Sequence, residues 1–469
     1  MSRLLLGVVV ALVAGCSGYY NGMYTADRLA SRARRAEREG RTFDATSLWG
    51  QVTVRAESAL VRHPRSGWAD RARLLQGTAL AKLKDCSRAL PLLEAVMVGA
   101  RETELAEQAA LLVGSCRVAV GDPIGATSAY ARLTNSRDAG RRNLALLQHG
   151  RALRMAGSYD EALAELAGSE DPRARGERAA TLAALGRVLE AEALADSLML
   201  QGDSAAPYDS LHAGLARHDS AAATHFVDRL SAATALPAAV RTAVLLQDAR
   251  RLIDTDSAAG DRRLAEAQTV GRGTALAAEA KLQAAAARIA RADRAESLVN
   301  EADHLEDFGE APGVIGTSAQ QLAAVARRVV LVADSTPSGT PSGDLRLFIA
   351  AELARDSLGA PRFAALQFQR IISEWPGSEY APKALLALIE LEPALGDSLL
   401  GVIRARYADS PYVLFASGEA APDYEVLEDS LRRFTETFRP EGRRPAPRPG
   451  QPGARPAQPV TPRAPSEPQ

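Results

Sequence analysis

Apolar residues recur every three or four positions along most of the chain, which is the period of an amphipathic helix. In its middle part this period continues through residues 211–230, 236–253 and 264–305. Stretches that alternate apolar and polar residues, the pattern of a half-buried strand, are nearly absent. Only 5% of the residues are aromatic while alanine is abundant, which favours closely packed helices over a sheet with large core side chains. The pattern predicts an all-α protein.

A longer repeat is superimposed on this helical period. Gly77, Gly114 and Gly150 lie 37 and 36 residues apart, and each is followed by an alanine after twelve residues and a bulky residue after sixteen. The residue seven positions after each glycine is predicted to lie in a turn. These three sets are Ala89, Ala126 and Ala162; Leu93, Tyr130 and Leu166; and Lys84, Gly121 and Gly157. Two helices that cross closely need a small residue at the contact, and the bulky residue then fills the groove beside it.

The same positions recur outside these three repeats. Upstream they are filled by Ala33, Gly40, Ala45 and Trp49, and downstream by Ala179, Gly186 and Ala191. Two residues depart from the pattern. Arg117 stands where an apolar or aromatic residue is expected, and Glu352 falls at a small position, which indicates either degenerate repeats or a register slip of one residue.

A second signature appears three times, at residues 63–69, 375–381 and 407–413. Each begins with a ring, continues through a helix breaker or small residue to a serine, and then reaches another aromatic residue. We expect the breaker to end one helix, the serine to cap the next and the aromatic residue to pack on the following repeat.

These repeats resemble the tetratricopeptide repeat family, whose unit of 34 residues has a small eighth residue, Ala at the twentieth and a bulky residue at the twenty-fourth. The variant is similar to the repeats of periplasmic envelope proteins of the BamD and YbgF/CpoB types. The resemblance implies a solenoid of helix-turn-helix units, with a groove lined by the first helices that binds peptide segments.

The N-terminus has the pattern of an export signal. Arg3 precedes an apolar run over residues 4–13, which is too short to span a bilayer. The run ends in Val13-Ala14-Gly15-Cys16, which resembles the lipobox of bacterial lipoproteins, and polar residues follow it. This resemblance implies acylation of Cys16 and attachment to the periplasmic face of the outer membrane. An ordinary cleaved signal and a buried helix end with a chance cysteine are the alternatives.

The chain is therefore predicted to have seven parts. They are a signal peptide (1–15), a lipidated tether (16–25), tetratricopeptide repeats (26–202), degenerate helical repeats (203–334), a linker (335–344), C-terminal tetratricopeptide repeats (345–436) and a disordered tail rich in Pro and Arg (437–469).

Two cysteines remain besides Cys16. Cys86 follows the turn of one repeat, and Cys116 lies near the end of the first helix of the next, so a stacked array makes them neighbours. A disulfide suits an oxidising periplasm. Two buried thiols that pack as small hydrophobic groups are the alternative.

Catalytic chemistry is weakly represented. Gly396-Asp397-Ser398-Leu399 matches the nucleophile block of GDSL-type hydrolases, but no histidine follows His304 to act as its base. The motif Gly271-x-Gly273 has neither a preceding strand nor a third glycine. The histidines lack metal-ligand spacing, and the acidic run over residues 301–310 is predicted to be a solvated helix end. We predict no catalytic residue, metal or cofactor.

The predicted function is a scaffold for cell-envelope assembly. Its groove would bind envelope proteins or peptide segments and its lipid would hold it on the membrane, whereas a net charge of −1 argues against nucleic acid. An enzyme-associated protein with a site in residues 203–333 and a ligand-binding lipoprotein are the alternatives. The basic tail is a contact for anionic cell-wall polymer, a ligand for an SH3-like partner, or a passive spacer.

Overall fold

The computed structural model describes residues 22–306, 308, 313–334 and 342–437. Across these residues the regular structure is entirely helical, which confirms the predicted all-α class. The chain forms two compact units, Met1–Ala284 and Ala285–Gln469, and their boundary falls inside one helix, α15 (Ala275–Arg291). The predicted signal peptide, most of the linker and nearly all of the tail lie outside the described residues.

The first unit consists of antiparallel helix pairs joined by short turns. Before α15 its helices are α1 (Tyr24–Arg38), α2 (Thr42–Arg62), α3 (Ala69–Lys82), α4 (Cys86–Gly99), α5 (Thr103–Ala119), α6 (Pro123–Ala131), α7 (Ala139–Ala156), α8 (Tyr159–Ala167), α9 (Ala174–Ala184), α10 (Val188–Leu200), α11 (Tyr208–His218), α12 (Ser220–Ala232), α13 (Ala238–Leu252) and α14 (Ser257–Val270). Each odd-numbered helix from α1 to α13 packs on the even-numbered helix that follows it. The odd-numbered helices also pack on one another. α1 contacts α3 and α3 contacts α5, and further along α7 contacts α9, α9 contacts α11 and α11 contacts α13.

Local sequence explains where these helices begin and end. The turn residue seven positions after the small residue has a positive φ at Gly40 (70°), Gly121 (80°) and Gly157 (89°), which glycine adopts without steric cost. The following helices often begin with an aspartate cap. Asp122, for example, accepts a hydrogen bond from the backbone N–H of Gly125 at 2.8 Å.

The small and bulky positions meet as predicted. A methyl group at Gly77 would lie 2.6 Å from Leu93 Cδ2, and one at Gly150 would lie 2.5 Å from Leu166 Cγ. At Gly114 the three nearest heavy atoms all belong to the Tyr130 ring. All three contacts are shorter than van der Waals packing allows, so the close crossing of each helix pair requires glycine. The predicted roles of these positions are confirmed.

The second unit continues with paired helices. After α15 its elements are α16 (Ala295–Glu306), α17 (Val314–Asp334), α18 (Gly343–Glu352), a π-helical turn (Leu353–Leu358), α19 (Pro361–Glu374), α20 (Ala381–Leu391), a 3₁₀ turn (Pro393–Leu395), α21 (Gly396–Arg406), α22 (Pro411–Ala416) and α23 (Tyr424–Thr437). Tyr380 packs on Phe348 with ring centroids 6.0 Å apart, and Tyr412 packs on Tyr380 at 6.4 Å. The aromatic residues of the second signature thus link consecutive repeats as expected.

The π-helical turn explains the departure at Glu352. A π turn contains one more residue than the α-helical turn that it replaces. Counting with this extra residue, the small position becomes Ala351, which is fully buried, and the positive-φ turn residue becomes Gly359 (φ 67°). The register slip of one residue is therefore the better of the two interpretations. Glu352 instead lies 3.8 Å from Lys383 Nζ on α20.

Other details differ from the sequence predictions. Arg117 is half-buried and forms ion pairs with Glu94 on α4 and with Asp122, so its charge is satisfied where an apolar residue was expected. Ser66 does not cap α3, because its hydroxyl donates to the carbonyl of His63 in the preceding turn.

Candidate functional site

A groove of about 690 Å³ runs across the first helices of the first three pairs. It is lined mainly by Asp27 and Arg34 of α1, by Arg71, Leu74, Leu75 and Thr78 of α3, and by Glu104, Leu105 and Gln108 of α5. Trp68 and Glu102 contribute from the turns before α3 and α5. No side chain of the second helices α2, α4 and α6 lines it, as expected for a groove of first-helix residues.

The lining residues occupy fixed positions in the repeat. In α1, Asp27 stands six residues before the small residue Ala33 and Arg34 stands one residue after it. Arg71 and Thr78 have the same positions relative to Gly77 in α3. Positions seven apart lie two turns apart on one helix face. The packing of the pairs, which the small residues permit, therefore determines which side chains face the groove.

The charges on the groove are partly unpaired. Arg71 Nη2 lies 3.1 Å from Asp27 Oδ2, and both side chains are in contact with solvent. Arg34 is exposed, its guanidinium lies 6.0 Å from the centre of the Trp49 ring, and it forms no ion pair with any described residue. Arg34 can therefore accept an anionic partner without breaking an existing pair.

Apolar surface lies beside these charges. Leu74 and Leu75 are each 6% exposed and form part of the groove wall, while Leu105 and Trp68 are half-buried. Glu102 and Glu104 lie at the α5 side, and both are exposed. A groove with a cationic side, an apolar wall and an acidic side suits a peptide segment that carries both charged and apolar side chains.

Cys86 and Cys116 come together beside this groove-forming part of the chain. Their sulfur atoms are within bonding distance and their Cα atoms are 5.2 Å apart, in the range of protein disulfides. The bridge would join the start of α4 to the end of α5, in adjacent repeats. Cys16 lies outside the described residues, so its acylation stays a prediction.

A buried polar cluster occupies the part of the first unit that was interpreted as degenerate repeats. Asp248 on α13 is fully buried and accepts hydrogen bonds from His212 Nε2 at 3.0 Å, Arg251 Nε at 2.9 Å and Arg263 Nε at 2.9 Å. Burial alone would raise the pKa of Asp248, but the hydrogen bonds from His212 and Arg251 outweigh it and hold the pKa below its usual value.

This cluster is better suited to a structural role than to catalysis. Both carboxylate oxygens of Asp248 already accept from protein donors, and the His212 side chain is only 2% exposed. Neither group can reach a substrate without local unfolding. The sequence signal was absent because the partners are separated by up to 36 residues and meet only through packing of α11, α13 and α14.

The other candidate motifs are not assembled into sites. Ser398 is exposed in the first turn of α21, after a 3₁₀ turn rather than a strand. Gly271 and Gly273 lie in the turn between α14 and α15. In the acidic run, Glu301 pairs with Arg288 and Asp303 with Arg327. The described part of the chain holds no group of three or more His, Cys, Asp or Glu side chains placed for a metal ion.

No helix within the described ranges combines the length and apolar character needed to cross a membrane.

No protein-family model matches the chain, and no curated protein is similar to it. Among solved structures the chain is similar to a tetratricopeptide repeat protein from Parabacteroides merdae, with 14% sequence identity and a TM-score of 0.39. That alignment covers 55% of this chain and 97% of the other. A likeness at this level does not establish a shared fold, so the repeat class rests on the helix pairs and glycine contacts described above.

Proposed function

We propose that this chain is a non-catalytic scaffold that is anchored to the outer membrane through an acylated Cys16 and binds peptide segments of envelope proteins in the groove of α1, α3 and α5. The observation that supports this proposal is the recurrence of the lining positions. Side chains from three successive first helices face one continuous groove, and stacked repeats characteristically use such surfaces for binding.

The chemistry of the groove defines the class of segment. Arg34, which has no carboxylate partner among the described residues, and the solvent-exposed Arg71 favour an acidic side chain on the ligand. Leu74 and Leu105 favour an adjacent apolar side chain. A helical or extended segment that carries both would be held by charge at one side and by burial at the other.

Two envelope roles are consistent with this class of ligand. One is docking of components in an outer-membrane protein assembly machine, as the similarity to BamD-type repeats suggests. The other is coordination of wall synthesis with outer-membrane constriction, as the similarity to YbgF/CpoB-type repeats suggests. Crosslinking from intact envelopes separates them, because the first role predicts recovery of a β-barrel assembly protein and the second predicts recovery of a wall synthase.

The crosslinking experiment places a photoreactive residue at Thr78, which is half-buried in the groove wall. A captured protein is then mapped to the crosslinked segment, and that segment is synthesised and titrated against the purified scaffold. Arg34→Glu is expected to weaken binding at least about tenfold, because it places like charges together. Arg55→Glu makes the same charge change on the exposed face of α2 and serves as the matched control.

Equal affinities of the wild-type protein and Arg34→Glu for the mapped segment would contradict the groove as its binding site. Circular dichroism of both variants verifies that the helical fold is retained. If the groove variant loses the segment while the α2 variant retains it, the loss reports the position of the charge and not the net charge of the protein.

A further inference from the structure

The outward face of α1 carries a stripe of arginines. Arg28, Arg32, Arg35 and Arg38 are all exposed and recur at spacings of four, three and three residues. The opposite face of the helix is formed by Ala26, Leu29, Ala30, Ala33 and Ala36, which are buried. Since residues three and four apart lie on the same side of a helix, the four arginines form one basic surface about 15 Å long.

Within the described part of the chain this surface keeps its positive charge. None of the four arginines forms an ion pair with a described residue. The three nearby carboxylates are engaged elsewhere. Asp27 pairs with Arg71 across the groove, Glu37 pairs with Lys82 on α3, and Glu39 pairs with Arg41 in the following turn. The stripe therefore places four arginines without ion-pair partners among the described residues on one side of a single helix.

The N-terminal end of the stripe carries an aromatic residue. Tyr24 is 43% exposed, and the Arg28 guanidinium lies 5.8 Å from the centre of its ring. Tyrosine favours the polar interface of a bilayer, because its ring is apolar while its hydroxyl is wet. A flat row of arginines with a tyrosine at one end is suited to a planar anionic surface.

We propose that this face of α1 binds the anionic phospholipid surface of the membrane. The proposal rests on the lipid anchoring proposed above for its location in the cell. Tyr24 lies eight positions after Cys16, so the start of α1 lies at most about 28 Å from the anchor. The lipid supplies attachment and the arginine stripe supplies orientation. Arg28, Arg32 and Arg35 point away from the groove residues Asp27 and Arg34, so membrane contact through these three arginines leaves the groove open to a peptide, whereas Arg38 lies four residues after Arg34 and is closer to the groove.

The experiment measures vesicle binding without the anchor. The chain from Ser17 to Gln469, secreted without a lipid, retains every described residue, and circular dichroism verifies its fold. We expect it to bind vesicles of phosphatidylcholine with phosphatidylglycerol, to bind far less to phosphatidylcholine alone, and to dissociate as the salt concentration rises. Each arginine near an anionic surface contributes about fivefold to the partition coefficient, so Arg28→Gln with Arg32→Gln should lower it roughly 25-fold.

A matched double variant tests the location of the effect. Arg404→Gln with Arg406→Gln removes the same charge from exposed positions on α21 and should leave vesicle binding within about twofold of wild type. Equal binding to both vesicle types, equal losses in the two double variants, or stronger binding to soluble polyglutamate than to vesicles would each overturn the proposal. Failure of the anchor itself is detected separately by membrane fractionation of Cys16→Ala, since the vesicle assay uses no lipid on the protein.

Discussion

Replacing Gly114 by alanine tests whether the repeat depends on close crossing of its helices. The new methyl group would lie 2.5 Å from Tyr130 Cε1, and Tyr130 is only 2% exposed, so the ring cannot turn into solvent. An ordinary contact requires a displacement of about 1 Å. Overpacking of this kind costs about 1–3 kcal/mol, whereas the change from glycine to alanine in a helix gains about 1 kcal/mol in propensity.

A matched substitution separates these two contributions. Gly50 lies inside α2, and a methyl group there would have no neighbour within 4 Å. Gly50→Ala should therefore stabilise the protein by about 1 kcal/mol. The difference between the two variants in the free energy of unfolding, measured by urea denaturation with circular dichroism, should equal the overpacking cost of about 1–3 kcal/mol.

A second background tests the cause. In Tyr130→Ala the ring is absent, so Gly114→Ala should become stabilising, as at Gly50. Buried alanines hold the small position in other repeats, as Ala33 with Trp49 and Ala179 with Ala195 at the position sixteen residues later, so the requirement for glycine is specific to pairs such as Gly114 and Tyr130, where a methyl group would meet the ring. Equal stabilisation by Gly114→Ala and Gly50→Ala in the wild-type background would refute this explanation of the repeat.

Four further predictions concern single sites. Lys84 has φ 62° in a turn where other repeats have glycine, so Lys84→Gly should raise the free energy of unfolding by about 1 kcal/mol, measured in urea, and a loss of stability would contradict that. Asp248→Asn should destabilise by about 3–5 kcal/mol near pH 7, because buried Arg263 and half-buried Arg251 each lose a buried carboxylate partner. The pKa of Asp248 is lowered by folding, so the stability that its carboxylate contributes is present above about pH 4 and is lost as the pH falls through the folded-state pKa. The difference between the variant and the wild type in the free energy of unfolding, measured by urea titration, should therefore shrink at low pH. A constant difference down to low pH would contradict a role for the carboxylate charge. Cys16→Ala should release the protein from membranes without unfolding it, and persistent attachment in fractionation would contradict acylation. Mass analysis of the peptides that contain Cys86 and Cys116 should differ with and without reductant, and identical masses would exclude the bridge.

The local sequence was sufficient to predict the repeat. Helical periodicity, the small residue at Gly77 and its bulky partner Leu93 act over a single helix pair, within about sixteen residues, and the structure confirms their contact. The turn at Gly121 was predictable for the same reason, because glycine adopts a positive φ without the steric cost that other residues meet there.

Only the tertiary structure decided which charges are satisfied. The Asp248 cluster joins α11, α13 and α14, and its pairs form because packing brings residues that are distant in sequence together around a buried carboxylate. The same packing pairs Asp27 with Arg71 while leaving the arginines on the outer face of α1 without ion-pair partners among the described residues. Sequence periodicity assigns a residue to a helix face, but the neighbouring helices determine whether that face meets a core, a groove or solvent.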